Sequence, residues 1–321
     1  MRLSLELQLL LAFGLDLLVG DPRWLPHPVR LIGWFAARIE PLCRRLLPFP
    51  YLAGAAAVLL VVGVTGGLAF AAVYGAGLAH PLAGDIVSVL LIYTAIAARD
   101  LAGHSYRVYR ALRAGDLPEA RRRVGMIVGR DTAELDEPGV TRAAVESVAE
   151  STLDGVTAPL FFAAVGGPVG ALAYKAANTL DSMFGHKDER YLKFGWAAAR
   201  LDDLANLIPA RLTAPLIALA AVPLGLRPFG ALRVTWRDGQ KHASPNSGIP
   251  EAAFAGAMGV QLGGVNVYDG VPHQGPLIGD PLRPLEKRHI PRANALMLLT
   301  AALALFVFLG LRRLVVWGVS A

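Results

Sequence analysis

The stretch Leu52–Leu78, LAGAAAVLLVVGVTGGLAFAAVYGAGL, decides the fold class. It holds no Asp, Glu, Lys or Arg, and the charge-free run around it reaches from Leu46 to Gly84. About 20 apolar residues suffice to span the hydrocarbon core of a bilayer as a helix. The run is long enough for a crossing plus an approach, and Val58–Leu78 is its densest part. Gly155–Tyr174 and Ala293–Leu311 lack the same four residue types.

Working outward, six segments belong in or at a membrane: Leu3–Val19, Leu52–Leu78, Ile86–Ala98, Val156–Tyr174, Ala205–Leu226 and Ala293–Leu311. Two are interrupted, one by Gly166-Gly167-Pro168 and the other by Pro209, Pro215 and Pro223, and proline breaks or kinks a helix. Lys and Arg number five in 20–45, nine in 99–154, six in 175–211 and eight in 227–292. If every segment crossed, strongly basic loops would lie on both faces, against the positive-inside bias. A re-entrant hairpin turning at Gly166–Pro168 removes the conflict, because irregular backbone at membrane depth is tolerated where protein or a cavity covers it. The expectation is an all-α, polytopic helical membrane protein. It has about four to six membrane segments, one or two of them broken or re-entrant, and helical loops gathered on the cytoplasmic face of the cell (inner) membrane.

Composition agrees. The chain is 54% hydrophobic and 17% charged, against about 25% charged in ordinary soluble domains. The net charge of +6 resides in loops where Arg and Lys alternate with acids. Arg121-Arg122-Arg123 lacks the aromatic interleaving and reader fold of a nucleic-acid site, so no nucleic-acid partner is expected. A single cysteine, Cys43, excludes an intramolecular disulfide and a cysteine metal cluster. Leu3–Val19, interrupted by Glu6 and Asp16 and followed by no A-x-A-like site, reads as a retained helix rather than a cleaved signal.

Between the apolar runs, Arg99–Arg113 has helical spacing at Leu101, Val108 and Leu112. Asp116, Pro118 and Glu119 open a second helix through the triple arginine to about Val128, and a third covers about Gly139–Leu153. Residues 238–292, rich in Gly and Pro, read as structured loop. Nothing separates a second domain, so 1–321 is expected to be one.

The chemistry sits in five clusters, one of them the Pro-studded loop Asp21–Arg30, where Asp21, His27 and Arg30 either reach a shared site or pin the loop. Glu146, Glu150 and Asp154 fall at i, i+4 and i+8, on roughly one helix face. Carboxylates so placed suit Mg²⁺, which takes a few protein oxygens plus substrate phosphates; a solvated acidic face is the plainer alternative. Lys175, Asn178 and Asp181 follow at helical spacing, with Gly185-His186-Lys187 beyond. They suit a phosphate-and-metal site, or a capped helix end whose lysine snorkels. Asp202, Asp203, Asn206 and Arg211 lead into the second interrupted segment. The densest cluster is Asp238-Gly-Gln-Lys241-His242-Ala-Ser244-Pro-Asn246-Ser247-Gly248-Ile-Pro-Glu251. Its tight polar loop before a helix start offers backbone N–H groups to phosphate, and it is also ideal turn composition. Walker, dinucleotide, zinc-protease and serine-hydrolase motifs are absent. The residues alone point to a membrane enzyme handling a phosphorylated or anionic substrate with Mg²⁺.

Seven runs in order make the chain resemble the adenosylcobinamide-phosphate synthase family of cobalamin biosynthesis. They are Gly20–Arg30, Gly125–Asp131, Glu146–Val156, Lys175–Lys187, Arg200–Arg211, Asp238–Gly264 and Gly279-Asp-Pro, with Ser151 departing from the Asn expected after Glu150. The resemblance implies an ATP-dependent ligase joining a carboxylate of adenosylcobyric acid to (R)-1-amino-2-propanol or its O-phosphate. For that reaction the expectation places Mg²⁺ at Glu146, Glu150, Asp154 and Asp181. Phosphate or nucleotide contacts go to Arg130, Lys175, Asn178, Lys187, Ser244, Asn246, Ser247 and Gly248, and His242, Lys241 and Glu150 are the candidate catalytic groups. The implied partners are the corrinoid, the aminopropanol (phosphate) and the lipid bilayer. Other membrane enzymes of late cobalamin synthesis, and self-association, are compatible with it. A transporter or binding protein for a corrinoid or other cofactor precursor is the competing class, favoured by the broken helices.

Overall fold

The computed structural model describes residues 2–22, 24, 27–186 and 188–320. Five of its helical stretches are long and apolar enough to cross a membrane: Pro50–Ala79, Pro81–Arg113, Glu137–Phe184, Trp196–Ala221 and His289–Gly318. This is a multi-pass helical membrane protein with one small two-stranded sheet. The chain forms two compact units. The first comprises Met1–Ala97, Ala158–Asn206 and Leu305–Ala321, the second Ala98–Thr157 and Leu207–Ala304.

In the first unit, α1 (Leu5–Val19) starts where Ser4 Oγ accepts the Leu7 N–H, and α2 (Pro28–Leu46) and α3 (Pro50–Ala79) each start on a proline. Proline suits a first helical turn because its missing N–H would have had no helical acceptor there. The outward side of α3 presents Leu59, Leu68, Phe70 and Leu78 to the surroundings, as a lipid-facing helix does. α4 (Pro81–Tyr93) returns beside it. Acidic residues inside these apolar segments are buried in protein, as their cost in lipid requires. Asp16 is fully buried, and Asp85 accepts hydrogen bonds from Leu3 N at 2.8 Å and Gln8 Nε2 at 3.0 Å. Ile32, Ala57, Val61, Leu180, Phe184 and Phe194 form the core.

The expected hairpin is present. α8 (Ala158–Phe184) is two helical arms joined at Gly167, whose φ of 61° and ψ of −149° lie outside any helix. Phe162 and Tyr174 stack with ring centroids 5.0 Å apart; a straight helix would hold them about 18 Å apart. The arms touch so closely that a Cβ on Gly170 would overlap the Phe162 carbonyl. The second proline-rich segment behaves otherwise. α9 (Trp196–Ala221) runs unbroken through Pro209 and Pro215. Near these prolines, the Arg211 and Thr213 side chains donate to the carbonyls of Leu207 and Pro209 at 2.8 and 2.7 Å. Local side-chain bonds of this kind are one way a proline-bearing membrane helix compensates for its disturbed ladder.

In the second unit, α5 (Ala98–Arg113), α6 (Leu117–Val124) and α7 (Glu137–Thr152) follow the predicted order, and α6 ends about a turn early. Arg122 and Arg123 of the basic triplet both bond to Glu119, at 2.7 Å each. A single π-turn, Leu153–Thr157, follows α7; such insertions concentrate at functional sites. α10 (Pro228–Asp238) and α11 (Gly248–Met258) pack backbone to backbone at Gly230 and Gly256, where neither has room for a Cβ. The region 238–292, expected to be loop, contains α11 and an antiparallel hairpin of β1 (Leu262–Tyr268) and β2 (Val271–Ile278). Its two-residue turn is Asp269-Gly270, with φ of 50° and 77°, the conformation that matches strand twist and favours Asp-Gly. α12 (His289–Ser320) closes the chain.

Candidate functional site

A cavity of about 340 Å³ opens within the second unit. Its wall is built from the α6–α7 connection, one face of α7, the start of α11 and the β-hairpin, with His242 beside them. Asp136 fixes the start of α7 by accepting the Gly139 N–H at 2.8 Å. Asp131 fastens the preceding connection to the hairpin: its N–H donates to Val267 O, and its carboxylate accepts from Gly270 N, both at 2.8 Å.

Two arginines clamp the hairpin onto α7. Arg142 donates to the carbonyls of Gly263 and Val265, the latter at 2.8 Å, and to Asn266 Oδ1 at 3.1 Å. Arg130 donates to Asn266 and forms a buried ion pair with Glu146, whose other oxygen accepts the Gly263 N–H at 2.7 Å. Gly263 and Gly264 have φ of 81° and 92°. Only glycine adopts such angles without strain, and they turn the Gly263 carbonyl toward Arg142 while its N–H meets Glu146.

Of the candidate residues, Arg130, Glu146, Glu150 and His242 line this cavity together. Glu150 is solvent-accessible in its wall, one helical turn beyond buried Glu146. His242 Nδ1 accepts the Ser244 N–H at 3.4 Å, which leaves the ring proton on Nε2. Lys241 lies outside the wall. It pairs with Asp238 at 2.7 Å, in a cluster where Asp238 also bonds Arg237 at 2.7 Å and the Gly279 N–H at 2.8 Å. The Arg237 guanidinium, bonded to the fully buried Asp238, holds its carboxyl well below the usual range. Ser244, Asn246, Ser247 and Gly248 form a folded turn into α11: Ser244 Oγ accepts from Asn246 N at 3.3 Å, and Asn246 Oδ1 accepts from Arg211 at 3.1 Å. Gly248 sits against the Gly239 carbonyl with no space for a side chain.

Asn266 and Tyr268 line the cavity without having been singled out for chemistry, and Glu251, which ends the densest polar cluster, lines it without having been given a role. Glu251 is a first-turn acid of α11, a position that reads as a helix-dipole partner. Only its burial, 8% exposed, marks it as different. Burial, then Glu150 and Glu146, push its carboxyl well above the usual range, with Arg130 opposing.

Lys175, Asn178 and Asp181 lie on the second arm of α8, in the first unit. Asn178 Nδ2 donates to Asp202 Oδ1 at 3.3 Å, Asn206 Nδ2 to Asp202 Oδ2 at 2.9 Å, and the Tyr174 hydroxyl to Asn206 Oδ1 at 3.0 Å. These four make a buried polar network between α8 and α9. The Gly185 N–H closes the helix end on the Asp181 carbonyl at 2.6 Å. Lys187 lies outside the described residues.

Among the described residues, no three His, Cys, Asp or Glu side chains are arranged to hold a metal ion. Glu146 is engaged by Arg130 and Gly263, Asp154 sits in the π-turn outside the cavity lining, and Asp181 belongs to the first unit.

Comparison with known proteins gives one consistent result. The family model described as CobD/Cbib protein matches residues 9–297. Cobalamin biosynthesis protein CobD of Geobacter metallireducens is 62% identical over 277 residues, 86% of this chain and 87% of that protein. Its namesakes in Leptospira interrogans and Klebsiella pneumoniae are 46% and 45% identical, covering 91% and 97% of this chain and 93% and 97% of their own. No solved structure matches the chain.

Proposed function

The chain belongs to the CobD/Cbib protein family of cobalamin biosynthesis, and from that premise we propose that it is an ATP-dependent amide-forming ligase. The carboxylate partner is a side chain of adenosylcobyric acid, the amine is (R)-1-amino-2-propanol or its O-phosphate, and the product is adenosylcobinamide (phosphate). ATP is the co-substrate, with the Mg²⁺ that accompanies its phosphates.

The observation that carries this reading is the cavity wall of the second unit, where Glu150, Glu251 and His242 converge on one space beside the Arg130–Glu146 pair. Amide formation needs the carboxylate activated and the attacking ammonium deprotonated. The wall supplies proton acceptors and the Nε2 proton of His242 as a donor. Arg130, held by Glu146 and Asn266, keeps the wall rigid, and rigid support of reacting groups is what orientation in catalysis requires.

The test is ADP release by the purified full chain given ATP, Mg²⁺, adenosylcobyric acid and aminopropanol phosphate. The reading expects ADP only when both acceptor substrates are present, with at least about a hundredfold loss in Glu150→Gln, the usual scale for a removed acid or base. Substrate binding without turnover, the same in wild type and variant, would instead favour a corrinoid carrier built around the α8 hairpin.

A further inference from the structure

α10 is no membrane span. Its 11 residues extend about 16 Å, against about 30 Å of hydrocarbon. Its two sides differ in character all the same. Ala231, Val234 and Asp238 are buried in the protein, whereas Phe229, Leu232 and Trp236 are 85%, 44% and 92% exposed. Their i, i+3, i+7 spacing puts these three side chains on one helix face. A Phe or Trp side chain presents about 150–250 Å², so the face shows roughly 400 Å² of apolar surface, a size that marks an interaction site.

Two observations name what covers it. The first is continuity with a span. α9 is apolar and long enough to cross a membrane, and it ends at Ala221. The Leu226 N–H still donates to Ala221 O at 3.0 Å, so the chain has not left the end of that helix when α10 begins at Pro228. Leu219 and Val222 at the same end are each more than half exposed, which extends apolar surface from the span toward α10.

The second is charge. The exposed side of α10 carries Arg233 and Arg237 and no acid. Asp238 and Asp280, the acids beside it, are both bonded to Arg237 at 2.7 Å. A short helix with Trp, Phe and Leu on one face and arginine at its margin suits the plane of a bilayer surface, with its apolar side chains among acyl chains and its guanidinium at headgroup phosphates. A second copy docked through the same face would set two arginine-edged surfaces against each other.

We propose that α10 is an interfacial docking helix, in which Phe229, Leu232 and Trp236 insert into the surface of an anionic phospholipid bilayer and Arg233 meets its phosphates. The contact reaches the cavity through one further layer. α10 packs on α11 at Gly230 and Gly256, where neither has room for a Cβ, and α11 carries Glu251 of the cavity wall. The bilayer surface thus becomes a fixed reference for that wall, whichever reaction the cavity serves.

The experiment uses the full chain in lipid nanodiscs, with Cys43→Ser and a bimane label on Trp236→Cys. Lipids brominated on their upper acyl carbons are expected to quench most of the bimane emission. Absence of that quenching overturns the proposal, whether aqueous iodide quenches instead, as on a solvated face, or fails to, as under a protein partner or a second copy. Phe229→Ser with Leu232→Ser, both at exposed positions that leave the buried face intact, is expected to lose most of the bromolipid quenching. Full quenching in that variant would show the label partitioning by itself, and overturns the proposal as well. Arg233→Glu should lower quenching in discs containing phosphatidylglycerol and leave it unchanged in phosphatidylcholine alone. An equal response in both lipids overturns the headgroup contact.

Discussion

Phe162 stacks on Tyr174, 5.0 Å between ring centroids and nearly parallel at 13°, because the chain reverses at Gly167. That contact is the signature of the hairpin, and its tightness makes the turn sensitive to single atoms. A methyl group at Gly170 would overlap the Phe162 carbonyl, so Gly170→Ala must push the arms apart. Overpacking of this kind costs about 1–3 kcal/mol. Thermal unfolding in detergent should show a lower Tm for Gly170→Ala, while Gly166→Ala, with nothing near its added Cβ, should match wild type.

The Arg130–Glu146 pair is buried, with both side chains 8% exposed. Removing one partner strands a charge, and breaking buried pairs costs about 3–5 kcal/mol. Arg130→Met and Glu146→Leu should each destabilise strongly. The double variant should recover much of the loss, because no charge is left alone. A double-mutant cycle of unfolding free energies measures this, and simple additivity would contradict it.

Asp238 sets a pH dependence whose sign is fixed. Its carboxyl is held well below the usual range, first by the Arg237 hydrogen bond, while an unfolded aspartate titrates at about 3.9. The folded form therefore binds its proton later. The stabilisation is fully present above the unfolded value and is lost as pH falls toward the folded one. Acid unfolding between about pH 5 and pH 2 should be steeper for wild type than for Asp238→Asn. Equal slopes would show that the Arg237–Asp238–Lys241 cluster contributes no net linkage.

The loop after the hairpin tests topology. In a background where Cys43 is replaced, a cysteine at Asp188, an exposed position, should react with an impermeant thiol reagent only when the cytoplasmic face is accessible. Labelling from the outside would contradict the charge-bias assignment.

Much of this was legible in the sequence for definite reasons. The charge-free runs give the spans, and Gly166-Gly167-Pro168 marks the reversal because it combines permissive φ with a missing N–H. Pro209 and Pro215 look equally disruptive on paper, yet α9 runs through both. Composition shows where a proline falls, not how the backbone around it is supported. The β-hairpin was hidden by its own punctuation. Gly263, Gly264, Pro272, Gly275 and Pro276 suggest loop, although Val265 and Val267 around Asn266, with Asp269-Gly270 beyond, carried the strand alternation and the turn. At the site, Glu146, Glu150 and His242 stand out as polar clusters in an apolar chain, whereas Arg130 is marked only by the family resemblance. Glu251 ends the densest cluster but received no role, because an acid in a first helical turn has an ordinary explanation that only three-dimensional burial removes. Lys241 looked reactive beside His242, but Asp238, one helical turn earlier, claims it.

The central claim is that this chain forms a C–N bond on a corrinoid, and the mass of the corrinoid tests it most directly. Purified protein incubated with adenosylcobyric acid, aminopropanol phosphate, ATP and Mg²⁺ should yield a corrinoid heavier by the amine less one water. The reading predicts that this product needs ATP and disappears in Glu150→Gln. Recovery of adenosylcobyric acid at its original mass, under conditions where the folded wild-type protein binds both substrates, would contradict it.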